Sequence, residues 1–69
     1  MEILAKRLRF LREQRNLTQA DVAKEIGIAT FTYQRYEYGE REPSAPLIVA
    51  IADFYGVSTD YLLGRSEER

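Results

Sequence analysis

The chain has 69 residues, of which 45% are hydrophobic and 30% are charged, and its formal net charge at pH 7 is −1. This length predicts a single domain, and this composition predicts a compact core under a solvated surface, which excludes a disordered chain. The lack of cysteine and histidine excludes a disulfide framework and the usual thiolate and imidazole metal sites, and the longest apolar run is too short to span a membrane.

Charge is distributed unevenly along the chain. The first 16 residues contain five basic and two acidic side chains, whereas residues 42–69 contain two basic and five acidic ones. Either the N-terminal part faces an anionic partner, or these side chains line the solvated faces of ordinary helices.

Apolar spacing and helix-boundary signals predict an all-α chain. Each of the four glycines comes at or just beyond the end of an apolar segment, where helix C-termini favour a residue that tolerates left-handed backbone angles. Thr18 with Asp21 three residues later resembles a capping box, and Ser44 and Ser58 precede two further segments. We therefore expect five helices, at about 3–15, 19–26, 30–38, 45–55 and 59–63, and a flexible charged tail at 65–69.

The first two helices have ordinary core-facing stripes. In the first helix, Leu4, Leu8 and Leu11 recur at helical spacing, and in the second the inner face is formed by Val22, Ala23 and Ile26. The second and third helices are joined by the short segment 27–29, which predicts a helix-turn-helix. Corners of this length also occur in unrelated helical bundles, so this pattern alone does not establish DNA binding.

The segment GIATFTYQRYEYGE, residues 27–40, contains four of the eight aromatic residues. Tyr33 and Tyr36 are three residues apart and share one helix face, where we expect them in the core with their hydroxyls reaching its edge. The side chains on roughly the opposite face are Phe31, Gln34, Arg35 and Tyr38.

The fourth helix is apolar over nearly its whole circumference. Its inner face is predicted to comprise Leu47, Ile48, Ile51, Ala52 and Tyr55. Either this helix is central and buried, or Val49 or Phe54 faces a second copy of the chain.

The stretch LREQRNLTQADVAKEIGIATFTYQRYEYGEREPS and the later IADFYGVSTDYLLG resemble the Cro and lambda-repressor-like (Xre-like) family of bacterial and phage regulators. The resemblance implies a compact five-helix domain over residues 1–64, with the helix-turn-helix motif at about 19–38. It further implies a homodimer that binds an inverted-repeat operator in double-stranded DNA and regulates transcription, as a repressor, without catalysis. A cytoplasmic location is expected, with which the lack of cysteine is compatible. No cofactor, metal, membrane or small-molecule ligand is expected.

The same resemblance assigns roles to individual residues. The candidates for reading bases are Thr30, Phe31, Gln34 and Arg35. The candidates for contacting phosphates are Gln19, Thr32, Tyr38, Arg41 and Arg12. Arg12 and Glu37 also match a pair that bonds the first helix to the end of the third. The alternatives are that Gln19 is an ordinary surface residue, and that Phe31 covers the second helix or belongs to a protein interface.

Three residues depart from the family pattern. Relatives usually place Ser or Thr at the position of Ala29, so either the third helix is poorly capped or Thr30 is its cap. Glu40 and Glu42 stand where relatives often have lysines, and their carboxylates would repel phosphate.

Two other classes of function compete with DNA binding. The carboxylates are scattered without the spacing of a catalytic motif, which disfavours an enzyme. The same fold also serves as a protein-interaction module, such as an antitoxin, a coactivator or the partner of a repressor, and the acidic net charge favours this alternative slightly.

Overall fold

The computed structural model describes residues 1–69, which form five α-helices and no strand. The helices are α1 (Glu2–Gln14), α2 (Gln19–Ile26), α3 (Thr30–Glu37), α4 (Ala45–Tyr55) and α5 (Thr59–Leu62). The predicted all-α fold is confirmed, and the predicted helix boundaries differ from the observed ones by at most one residue. None of the five helices has both the length and the apolar composition that a membrane crossing requires.

Local hydrogen bonds determine where α2 begins and ends. The Thr18 hydroxyl accepts the N–H of Asp21 at 3.0 Å, and the Asp21 carboxylate accepts the N–H of Thr18 at 2.9 Å, so the predicted capping box is present. Gly27 ends the helix at a φ of 87°, a left-handed angle that a β-carbon disfavours. Both ends of α2 are therefore fixed by local interactions of the backbone.

The start of α3 lacks a side-chain cap. Ala29 occupies the N-cap position with extended backbone angles, so the alternative in which Thr30 is the cap is wrong. An alanine here costs about 1 kcal/mol of helix stability relative to serine or threonine. Thr30 is instead the first residue of the helix, and its half-buried side chain is not used as a cap.

One hydrophobic core unites all five helices. It comprises Leu4, Leu8, Leu11, Val22, Ala23, Tyr33, Tyr36, Ile51, Ala52, Tyr55, Tyr61 and Leu62. Most of the predicted inner faces are buried, although Ile26, Leu47 and Ile48 are only partly buried at the edge of this core. The contribution of Tyr61 and Leu62 was not predicted, because the single turn of α5 is too short to show a periodic pattern.

The aromatic residues of α3 separate as predicted, with one difference. Tyr33 and Tyr36 are buried, whereas Phe31 is 67% and Tyr38 is 58% exposed. The Tyr33 hydroxyl does not reach the edge of the core; it hydrogen-bonds the hydroxyl of Tyr55 at 2.9 Å in the interior. Burial raises the pKa of both phenols, so both stay protonated.

The fourth helix is not central. Val49 is 50% exposed, whereas Ile51 is fully buried, so α4 packs one face on the core and presents the other to solvent. The alternative of a buried central helix is therefore wrong. Phe54 packs partly against the core, with the Arg15 guanidinium 5.6 Å from the centre of its ring.

Several arginines in and just after α1 stabilise the fold instead of forming a free basic surface. Arg15 donates hydrogen bonds to the main-chain oxygens of Phe54 at 3.0 Å and Tyr55 at 2.8 Å, at the C-terminal end of α4. A cation is favourable there because the last carbonyls of a helix lack partners within it. Arg7 is buried and donates to the main-chain oxygen of Tyr61. Much of the N-terminal excess of positive charge is therefore directed into the protein.

The segment 65–69 lies against α1 and α5. Arg7 donates to the main-chain oxygen of Ser66 at 2.7 Å. The N–H of Ser58 donates to the main-chain oxygen of Arg69 at 2.8 Å. The Arg69 guanidinium also lies 5.3 Å from the ring centre of Phe10. These contacts were not expected because the partners on α1 are distant in the sequence, and the flexibility of the segment stays a prediction.

We expect Asp21→Asn to destabilise the fold near neutral pH and to lose this effect in acid. Accepting the Thr18 N–H lowers the pKa of Asp21, so its carboxylate stabilises the folded state above its unfolded pKa of about 3.9. This stabilisation is lost as the pH falls through the lowered folded value. Thermal unfolding of both proteins across this range measures the difference.

The matched control for this experiment is Glu25→Gln, which neutralises an exposed carboxylate in the last turn of the same helix. It should show no comparable acid-dependent difference from the wild type. A stability difference for Asp21→Asn that is the same at every pH would contradict a role for its charge.

Candidate nucleic-acid interface

The outer face of α3 presents the four side chains predicted to read bases. The inner face of this helix is fixed by Tyr33 and Tyr36, which pack against α1 and α2. Gln34 and Arg35 are half-buried on the other face, and Phe31 beside them is largely exposed. Since its ring is 67% exposed, Phe31 does not cover α2.

Arg35 lies between an aromatic ring and a carboxylate. Its guanidinium carbon is 5.5 Å from the ring centre of Phe31, and its Nε is 3.9 Å from Oε1 of Glu40. Both contacts are exposed and therefore weak. Neither contact is a hydrogen bond, and the two terminal nitrogens of the guanidinium donate no hydrogen bond within the protein.

The candidates for phosphate contacts occupy different environments. Gln19 is half-buried at the start of α2, and Thr32 is half-buried within α3. Tyr38 is the C-cap of α3 and, like Arg41 in the following loop, is exposed. The structure thus places Tyr38 and Arg41 where the chain leaves the outer face of α3.

Arg12 and Glu37 form an ion pair inside the protein. The Arg12 Nε donates to one carboxylate oxygen of Glu37 at 2.7 Å, and its Nη2 donates to the other at 3.1 Å. Its remaining terminal nitrogen donates to the main-chain oxygen of Leu17 at 3.0 Å. Glu37 is 0% exposed, and the hydrogen bond to it raises the pKa of Arg12. The guanidinium is therefore turned towards the interior and not towards a surface ligand.

Gln19 and Gln34 extend this ion pair to the surface. The Gln19 Nε2 donates to Oε1 of Glu37 at 3.1 Å, and the Gln34 Nε2 donates to Oε1 of Gln19 at 3.1 Å. These hydrogen bonds between Gln19, Gln34 and Glu37 were not predicted from the sequence, which gave each residue a separate role. The only sequence signal is the spacing of three residues between Gln34 and Glu37, which places both on one side of α3.

The two glutamates that depart from the family pattern both have cationic partners. Glu40 lies beside Arg35, and Glu42 accepts a hydrogen bond from the N-terminal ammonium at 3.0 Å. Both carboxylates are exposed, so water and salt also screen them. Their repulsion of a phosphate backbone is reduced accordingly.

The remaining surface features lie away from α3. An open groove of about 650 Å³ is lined by Arg15, Leu17, Asp21, Lys24, Glu25 and Phe54. None of these residues belongs to α3, so the groove is separate from the outer face described above. The structure contains no cluster of three acidic side chains with the spacing of a metal site.

Comparison with known proteins identifies the family. The chain belongs to the helix-turn-helix (HTH_3) family, whose model matches residues 8–62. It is 36% identical over 64 residues to the HTH-type transcriptional regulator ImmR of Bacillus subtilis, covering 93% of this chain and 50% of ImmR. It is 44% identical over 62 residues to the cryptic phage CTXphi transcriptional repressor RstR of Vibrio cholerae, covering 90% of this chain and 55% of RstR. The chain thus spans about half the length of these curated relatives.

Solved structures agree with this assignment. The P22 c2 repressor in complex with synthetic operator 9T matches with a TM-score of 0.83 at 26% identity, covering 90% of this chain and 94% of that one. A transcriptional regulator from Listeria innocua matches with a TM-score of 0.84 at 26% identity, covering 96% and 62% of the two chains. The predicted lambda-repressor-like fold is therefore confirmed.

We expect Arg12→Met to destabilise the protein more than Glu37→Leu. Removing the arginine leaves a fully buried carboxylate unpaired, which costs about 3–5 kcal/mol, whereas removing the glutamate leaves a guanidinium that reaches solvent. A domain of this size has a total stability of about 3–10 kcal/mol. Denaturant unfolding measures the difference.

The double variant Arg12→Met/Glu37→Leu is the control, because it removes both charges and should recover most of the lost stability. Equal losses for the two single variants would show that burial of the carboxylate is not the cause.

Proposed function

We propose that this chain binds double-stranded DNA with the outer face of α3 in the major groove and regulates transcription, as a repressor, in a bacterial or phage setting. The observation that carries this proposal is a helix-turn-helix whose second helix is locked into the core on one side. Its other side presents Phe31, Gln34 and Arg35. The names of the relatives and the operator complex of the P22 c2 repressor support it.

Each proposed base reader has a chemically suitable target. The free terminal nitrogens of Arg35 can donate to O6 and N7 of guanine, and the Gln34 amide can bond adenine. Phe31 carries no hydrogen-bonding group, but its exposed ring can press against a thymine methyl. Thr30, in the first turn of α3, lies at the end of the helix that enters the groove in this motif.

The proposed phosphate contacts surround this face. Tyr38 and Arg41 follow α3, Thr32 lies within it, and Gln19 stands at the N-terminus of α2, where helix geometry favours an anion. We assign Arg12 a structural role instead, because its guanidinium is bonded to Glu37 and Leu17. Arg41 is then the one cation among the proposed phosphate contacts.

A homodimer is part of this proposal. A single module with few phosphate contacts binds weakly, whereas two modules can place their α3 helices one DNA turn apart, at about 34–36 Å. Val49 is the apolar side chain on the free face of α4 that a second copy could cover. Phe54 is less suited to this role because it already packs against the core and lies beside Arg15.

One observation favours the alternative of a protein-interaction module. The net charge is −1, and four of the five basic side chains in residues 1–16 donate hydrogen bonds within the protein. An acidic surface of this kind suits a protein partner better than a phosphate backbone. We propose no catalytic activity for either case, and a cytoplasmic location for both.

Selection of bound duplexes from a random pool tests the proposed function. We expect an inverted repeat with half-sites about one helical turn apart, as a homodimer requires. Arg35→Ala should then relax the preference at one guanine per half-site by about fivefold or more. A uniform loss over all sequences would reduce Arg35 to a phosphate contact, and a monomer in sedimentation on DNA would contradict the dimer.

A salt series distinguishes the two functions. Each neutralised phosphate adds about −0.9 to the slope of log affinity against log salt, so DNA binding must weaken as salt rises, although few cations predict a shallow slope. Failure to recover any preferred duplex would favour the protein-interaction module.

Phe31→Ala should reduce affinity for the selected duplex while leaving the unfolding temperature nearly unchanged, because the ring is 67% exposed. Replacing the contacted thymine by uracil removes only the methyl group, and it should reproduce part of this loss in the wild type. The same replacement should have no further effect on the variant. A markedly lower unfolding temperature with intact sequence preference would make Phe31 a structural residue.

A further inference from the structure

A chain of hydrogen bonds, here called the amide relay, connects Glu37 in the interior to Gln34 on the outer face of α3 through Gln19. Glu37 is 0% exposed and holds two hydrogen bonds from Arg12, whereas the two glutamines are half-buried. The relay therefore begins at a fixed group and ends at a side chain that faces the proposed DNA.

Charge fixes the direction of every bond in the relay. An ionised carboxylate can only accept hydrogen bonds, so Gln19 must turn its Nε2 towards Glu37. The Oε1 of Gln19 then faces Gln34, and Gln34 must donate from its own Nε2. Both bonds measure 3.1 Å. The orientation of the outer amide thus follows from the buried charge and needs no assumption about either amide.

We propose that Gln19 is a positioning residue that fixes the Gln34 amide and thereby selects the base that Gln34 reads. This inference rests on the proposed DNA binding. With its Nε2 held by Gln19, Gln34 keeps its Oε1 and one N–H for the DNA. An amide without this bond can rotate by half a turn, which exchanges Oε1 and Nε2 and points the N–H donors at the base instead of the oxygen.

The fixed amide selects a base that carries an amino group in the major groove. Adenine presents such a donor at N6 and cytosine at N4, whereas guanine and thymine present the acceptors O6 and O4 at the corresponding edge. Adenine also offers N7 as an acceptor for the remaining N–H of Gln34. The relay therefore favours adenine first and disfavours guanine and thymine, whose oxygens would face the Oε1 of Gln34.

This role differs from a phosphate contact by Gln19. A phosphate contact contributes equally to all sequences, whereas a positioning residue changes the preference at a single base pair. Gln19 can donate its second amide N–H to a phosphate while it holds Gln34. The two roles are therefore distinguished by which DNA sequences lose affinity in a Gln19 variant, and not by how much affinity is lost.

The relay itself is tested without DNA, by nuclear magnetic resonance of the side-chain amides in the free protein. Gln19→Met keeps most of the side-chain length but removes the amide, and it should shift the Gln34 amide signals and speed their exchange with water. Gln14→Ala is the matched control, because Gln14 lies at the end of α1 and bonds Arg69. Unchanged Gln34 signals in Gln19→Met would overturn the proposal.

The effect on base selection is tested on the duplex recovered from the random pool. The position read by Gln34 is the one at which Gln34→Ala abolishes discrimination between A·T and G·C. The wild type should prefer A·T there by about fivefold or more. Gln19→Met should lose at least half of that preference, keep its preferences at other positions, and match Gln34→Ala when the two changes are combined.

Two results would overturn the inference while leaving DNA binding intact. One is an equal loss of affinity for all duplexes in Gln19→Met, which would make Gln19 a phosphate contact only. The other is an unchanged preference at the position read by Gln34. If the wild type prefers no duplex, the proposed function fails and base selection by the relay fails with it, while the amide signals still decide whether the relay exists.

Discussion

The arrangement of this molecule depends on the ion pair between Arg12 and Glu37. A carboxylate with 0% exposure is costly unless it is neutralised and hydrogen-bonded, so Glu37 can be buried at the end of α3 only with the Arg12 guanidinium in place. The same guanidinium donates a hydrogen bond to the main-chain oxygen of Leu17, which ties the loop before α2 to α1. A buried pair adds little net stability compared with an apolar one. Its hydrogen bonds here join α1 to the end of α3 and to the loop before α2.

Most basic side chains near the N-terminus form hydrogen bonds within this small domain. A domain of 69 residues has few buried contacts to spare, and arginines in and just after α1 bond helix ends and buried oxygens. Arg15 bonds the last carbonyls of α4, and Arg7 bonds α5. The charge asymmetry seen in the sequence is therefore largely consumed by folding. The cations that remain for a ligand include Arg35 on α3, Arg41 after it and the exposed Lys24 on α2.

The outer face of α3 combines rigidity with exposed chemistry. Buried tyrosines hold its inner face, and the amide relay holds one of its outer side chains. Phe31 and Arg35, in contrast, are held only by exposed contacts with each other and with Glu40. Under the proposed DNA binding, an amide that is oriented before binding loses less entropy when it bonds a base, and the exposed pair can adjust to the groove.

The sequence by itself determined the helices, their limits and most of the core, because capping residues and apolar spacing act over a few neighbouring residues. It also separated Tyr33 and Tyr36 from Phe31 and Tyr38, since one helical period decides which side chains share a face. It left open whether Thr30 caps α3 and whether α4 is central. Only the tertiary structure decided these points and joined Gln19 to Gln34 and Glu37, because contacts between helices depend on how the helices pack and not on local pattern.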